Sequence, residues 1–185
     1  MRHYKHLLGA MLLATVYAMA SPAPGGAQQN SGWRLLQGAT PAGSAPPSMS
    51  HTSDMMRSDL DLAGLMLRCH DPKTESTGMQ AQGTAPTGGG AEVAIVVVTP
   101  FPPRAVPSVT IGAAGKEWHF EAHVVPPGAE LLLPAEAAKL AAGQWQSIHE
   151  LTVRVSWQER SFGGIIPIDG LADALATLTT TCPAG

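Results

Sequence analysis

Charge is scarce in this chain. Only 14% of its 185 residues are Asp, Glu, Lys or Arg, and the 11 basic residues form no cluster. Phosphate backbones are gripped by grouped Lys and Arg, so nucleic acid is excluded as a partner. Aromatics are scarce too, at 5%, which leaves aliphatic residues to build the core of a chain that is 44% apolar. After residue 20 no apolar run approaches the ~18 residues of a membrane-crossing helix. The Gly-x-Ser-x-Gly elbow of serine hydrolases is missing, and no other complete catalytic motif is present. Two cysteines are too few for a disulfide-dense scaffold, but they suffice for one bridge.

What is present begins with an export signal. Arg2, His3, Lys5 and His6 form a basic start, residues 7–18 an apolar stretch, and Ala18-Met19-Ala20 a small-x-small cleavage site. Residues 1–20 are therefore expected to be a signal peptide, with Ser21 as the mature N-terminus and a bacterial periplasmic or secreted destination. An uncleaved anchor is the alternative. No cysteine follows for lipid attachment, and no twin arginine redirects the route. Cleavage removes Arg2 and Lys5 and leaves 9 basic against 14 acidic residues.

Residues 21–32 read as a flexible leader and residues 33–185 as a single domain. Within it, Pro, Gly, Ser and Ala mark loop inserts near 38–53 and 71–91. Strand patterns fall at 33–36, 60–69, 92–99, 106–111, 116–125, 130–133, 151–157 and 162–168. The run at 92–99 is almost unbroken in β-branched residues, as in a strand buried on both faces. A first helix is expected over 135–142, with Pro134 at its start and Gly143 at its end. Asp169 is placed to cap a second helix, whose apolar stripe is Leu171, Leu175, Leu178 and Cys182. The expected class is α+β: a mostly antiparallel sheet or sandwich of about seven or eight short strands with two short helices. In an oxidising compartment, a bridge between Cys69 and Cys182 would staple the last helix to an early core strand.

The order Trp33, Leu65-x-Leu67-Arg68-Cys69, a long β run, then Ile166-x-Ile168-x-Gly170-Leu171-x-x-Ala174-Leu175-x-x-Leu178-x-x-x-Cys182 resembles the VasI-type periplasmic accessory proteins of type VI secretion systems. The Gly-Leu-x-x-Ala-Leu-x-x-Leu ending is also similar to secreted proteins of the invasion-associated locus B type, although the additional early cysteines of that family are absent. The resemblance implies a small β-rich accessory domain with a protein partner in the cell envelope. It implies no catalytic residue.

Among residues that could carry chemistry, His119, Glu121 and His123 are the sharpest set. In a strand they share one face, and two imidazoles with a carboxylate form a zinc-compatible trio. The competing account is the wet face of an amphipathic strand. Met49, His51, Met55 and Met56 offer soft ligands for copper. Cys69 beside His70 would suit a thiolate nucleophile, which a bridge would consume. Ser161 before Gly163 and Gly164 suggests a nucleophilic turn, against which close strand pairing explains the glycines. Asp169 and Asp173 form a candidate acid pair, with capping and solvation as the simpler account. Trp145 is either core or an exposed partner contact. Taken together, the residues favour a non-enzymatic binding module without cofactor or metal. A metal-binding protein or metal-dependent enzyme built on His119, Glu121 and His123 is the alternative.

Export is checked by intact mass. The chain recovered from periplasm is expected to start at Ser21, and one that retains Met1 in the cytoplasm would remove the basis for the envelope reading.

Overall fold

The computed structural model describes residues 32–36, 39–40, 43–44, 46–70 and 90–182. The signal peptide expected at 1–20, the leader up to residue 31, and most of the insert at 71–91 lie outside the described residues.

Two antiparallel sheets carry the architecture. The first holds six strands in the order β1-β4-β5-β6-β10-β9: β1 (Arg34–Leu36), β4 (Ser48–Thr52), β5 (Leu62–Cys69), β6 (Ala91–Val97), β10 (Glu130–Leu132) and β9 (His123–Val125). The second holds four in the order β12-β11-β7-β8: β12 (Arg160–Pro167), β11 (Glu150–Trp157), β7 (Ser108–Ala113) and β8 (Lys116–Glu121). The segments β2 (Ala39–Thr40) and β3 (Gly43–Ser44) pair only with each other. Two helices, α1 (Ala135–Ala141) and α2 (Leu171–Thr181), complete the described fold, with a short 3-10 turn over Gln144–Ser147. The α+β, mostly antiparallel expectation holds, with more and shorter strands than expected.

Both sheets feed one core. Leu65, Leu67, Val93, Ile95 and Leu131 of the first sheet join Val109, Ile111, Val153, Val155 and Ile166 of the second in a single buried cluster. Successive residues point to opposite faces of a strand. Burial of Leu65, Met66 and Leu67 in a row, and of Val93, Ala94 and Ile95, therefore means that β5 and β6 are covered on both faces. β12 of the second sheet and helices α1 and α2 are the elements packed against them. This is the pattern expected for 92–99, reached here in antiparallel company.

Three local readings need correction. The insert at 38–53 is not all loop: residues 48–52 form β4, which pairs with β5 from Ser48↔Arg68 to Thr52↔Gly64. Its polar sequence, Ser-Met-Ser-His-Thr, hides a strand that needs only Met49 in the core. Val106 precedes β7 and is 51% exposed. Gly170, at φ 78°, occupies the cap position of α2 in place of Asp169, whose side chain instead meets His149.

Cys69 and Cys182 are bridged, with Cα atoms 5.5 Å apart. The bridge closes 113 residues of chain, so its chain-entropy contribution is about 4–5 kcal/mol. It joins the end of β5 to the residue after α2. The helix itself buries Leu171, Ala174 and Leu178, while Leu175 lies only half-buried beside the core. The expected stripe was thus rotated slightly, by the small residue Ala174.

The glycines of β12 have a packing reason. A Cβ on Gly163 would strike the Val153 carbonyl, and one on Gly164 would strike Ser58. Residues 53–61, which link β4 to β5, cross over and clasp the outer edge of β12. The Asp54 N–H donates to Ile165 O at 2.8 Å, and the Asp59 N–H donates to Gly163 O at 2.8 Å. In return, the Gly163 N–H donates to Asp59 Oδ2 at 2.8 Å and the Ile165 N–H to Ser58 Oγ at 3.0 Å. Arg57 hydrogen-bonds Asp54 and holds its carboxyl below the usual carboxylate range. The Thr99 hydroxyl, aided by Arg160, does the same for Asp61.

The rotated stripe orders two substitutions. Leu178→Ala is expected to cost about 2–5 kcal/mol and Leu175→Ala clearly less, measured by denaturant unfolding of the oxidised protein. Equal losses would mean that α2 packs on a different face.

Candidate functional site

The site lies along β8. This strand turns back from β7 through Ala114 and Gly115, both at positive φ, as a two-residue hairpin requires. Register fixes where its main chain points. Ala113↔Lys116, Ile111↔Trp118 and Val109↔Phe120 alternate with Gly112↔Glu117, Thr110↔His119 and Ser108↔Glu121. The pair that closes a two-residue hairpin exchanges both hydrogen bonds, and every second pair after it does likewise. The Ala122 N–H donating to Pro107 O at 2.9 Å continues that count. The N–H and C=O groups of Glu117, His119 and Glu121 are consequently directed away from β7. β8 is the last strand of its sheet, so among the described residues no ladder receives them.

The same count holds at the opposite edge. On β12 the outward main-chain groups of Gly163 and Ile165, in the middle of the strand, are both satisfied by the 53–61 segment. One edge of the second sheet is closed and the other is open.

Beside the open edge runs a groove of about 580 Å³ between β8 and α1. Trp118, Phe120 and Leu140 give it apolar surface, while Glu117, His119, Glu136, Lys139 and Gln144 supply polar groups. Phe120 is buried and Trp118 half-buried. Trp118 rests edge-on against Trp145, with ring centroids 6.0 Å apart at 69°. Among the described residues Glu117, Glu121, Glu136, Lys116 and Lys139 form no ion pair, so the rim is charged but uncommitted.

The proposed zinc trio sits on this strand and the next. His119, Glu121 and His123 are all exposed, with Phe120, Ala122 and Val124 buried between them. His119 Nδ1 shares a 2.9 Å hydrogen bond with the Thr110 hydroxyl. Between Glu121 and His123 the chain passes from the second sheet to the first. Among the described residues no group of three or more His, Cys, Asp or Glu side chains is placed to hold a metal ion. The trio forms a row, not a cluster.

The other candidates separate as well. Met49 is buried in the core, Met55 and Met56 are 80% and 93% exposed, and the His51 ring lies 5.2 Å from that of Trp33. Cys69 is consumed by its bridge, and His70 Nδ1 pairs with Glu92 at 2.8 Å. Ser161 shares a 3.2 Å hydrogen bond with the Ser156 hydroxyl across the β11–β12 hairpin. Trp145 is 1% exposed, held by the 3-10 turn inside the core, so it offers no direct partner contact. Its part in the site is to back Trp118. Asp173 is exposed on α2, while Asp169 meets His149.

Sequence reasoning overlooked Trp118 and Leu140 as groove surface. It also overlooked Arg68, which bonds Glu92 at 2.7 Å and Glu130 at 3.5 Å across the first sheet. The alternation over 116–125 carried the first signal. The charge network had none, because Arg68, Glu92 and Glu130 meet only through strand order. No protein-family model, no curated protein and no solved structure matches the chain. No described helix is long and apolar enough to cross a membrane.

The His149–Asp169 contact gives a titration test. The 2.6 Å hydrogen bond that the imidazole Nδ1–H donates to the Asp169 carboxylate, and then the charge of that carboxylate, raise the imidazole above its ordinary value of 6.5. The folded chain holds that proton more tightly than the unfolded one. The contribution to stability is therefore complete below the ordinary value and fades as pH rises through the raised one. NMR titration should place the His149 midpoint above 6.5, and Asp169→Asn should return it toward that value.

Proposed function

We propose that the protein is a non-enzymatic binding module of the bacterial cell envelope, and that it engages a protein partner by accepting an extended segment along the open edge of β8. The observation that carries this reading is the contrast between the two edges of one sheet. The outward main-chain groups of Gly163 and Ile165 on β12 are satisfied from within the chain, and among the described residues those of Glu117, His119 and Glu121 on β8 have no partner. Unpaired strand edges are a liability that proteins ordinarily blunt with a short strand, proline, a bulge or a covering loop. β8 is six residues long, contains no proline and meets a groove with Trp118 and Leu140 along it. Strand addition draws affinity from main-chain hydrogen bonds and selectivity from side-chain pockets alongside, which is what such an edge and groove provide.

The signal-like residues 1–20 and the Cys69–Cys182 bridge support an oxidising, exported setting. The resemblance to VasI-type proteins supports an accessory role in type VI secretion or another envelope assembly.

The test is a photo-crosslinking residue in place of Leu140, activated in cells. An adduct with another envelope protein is expected, and Trp118→Ala should remove it while the protein still folds. Metal-dependent turnover of a small substrate, lost in His119→Ala, with no adduct formed, would overturn this reading in favour of an enzyme.

A further inference from the structure

The exposed row along β8 and β9 reads Glu117, His119, Glu121, His123: acid, imidazole, acid, imidazole. Turned end for end about Phe120, the row reads imidazole, acid, imidazole, acid. Each carboxylate of one copy then stands opposite an imidazole of the other. We propose that the open edge of β8 pairs antiparallel with β8 of a second copy, across a two-fold axis at Phe120. This rests on reading β8 as the interaction edge, and it names a first occupant for that edge.

Main-chain geometry permits the register. With the axis at Phe120, His119 lies opposite Glu121 of the second copy, and the reverse pair follows by symmetry. These residues direct their N–H and C=O groups to the open edge, so each pair exchanges two hydrogen bonds. A slip by one residue would set outward groups of one strand against inward groups of the other and make no ladder.

Side chains then choose among the registers that remain. An axis at His119 would place Glu117 against Glu121, two carboxylates directly opposed, which is destabilising. An axis at Trp118 would pair Glu117 with His119 but leave Glu121 facing Gly115. The axis at Phe120 gives all four residues of the row an opposite partner. The arrangement is isologous, as closed two-fold dimers require.

Sedimentation equilibrium of the full mature chain tests the proposal. Wild type is expected to be a concentration-dependent dimer. Glu121→Lys sets a cation against each imidazole and should weaken dimerisation about tenfold over the two symmetric contacts. Adding His119→Glu in the same chain restores acid opposite base and should recover the dimer. His119→Pro removes an outward N–H that β7 does not use, which an edge strand tolerates. That variant should be monomeric with its thermal unfolding nearly unchanged. A wild type that stays monomeric at high concentration, or a dimer indifferent to the charge swap, overturns the proposal. The Leu140 crosslink distinguishes this failure from failure of the proposed function: an adduct with another protein alongside a strictly monomeric chain would sink the second copy alone.

Discussion

At Ala122 the chain leaves one sheet and enters the other. Its side chain is fully buried, and its N–H still reaches back to Pro107 while the next residue already belongs to β9. The inward stripe of Phe120, Ala122 and Val124 continues without a break across this change. One amphipathic segment thus serves both layers, and the shared core follows from it. If the alternation slipped by one residue here, the core would receive His123 and lose Val124. The constraint also explains the site. A segment that forms the margin of two sheets in succession has no neighbouring strand on its far side among the described residues, and its polar face becomes a continuous outer border.

The remaining borders are managed differently. β12 is clasped by residues 53–61 through main-chain and side-chain hydrogen bonds, and Gly164 lets that segment approach closely. β1 is only three residues long, and Trp33 just before it anchors through its indole N–H to Asp169 O at 2.9 Å. Local chemistry thus seals most of the perimeter. Beside the unsealed part, Lys116, Glu117, Glu121, Glu136 and Lys139 form no ion pair among the described residues.

Much of the fold was legible because periodicity is a local property. The runs at 60–69, 92–99 and 151–157 became β5, β6 and β11 with only small shifts of boundary. Cys182 was legible as inward-facing because it continues the spacing of Leu171 and Leu178. What escaped depends on tertiary context. Residues 48–52 look like loop because only Met49 is needed inside. Asp169 looks like a cap, but left-handed Gly170 takes the position and frees the carboxylate for His149. The row His119, Glu121, His123 was readable as one exposed face. The missing neighbour beside it was not, because strand order is written nowhere in the residues themselves.

The bridge between Cys69 and Cys182 has a mechanical meaning too. Tension applied between the beginning and end of the described chain would travel through β1, β4 and β5 and then across the sulfurs. The intervening 112 residues, with most of the core and all of the second sheet, lie outside that covalent path. At roughly 3.4 Å per extended residue, about 380 Å of contour length is withheld from any pull. The molecule can therefore yield at its N-terminal strands, with the 53–61 clasp among them, before any of the chain between the two cysteines is drawn out.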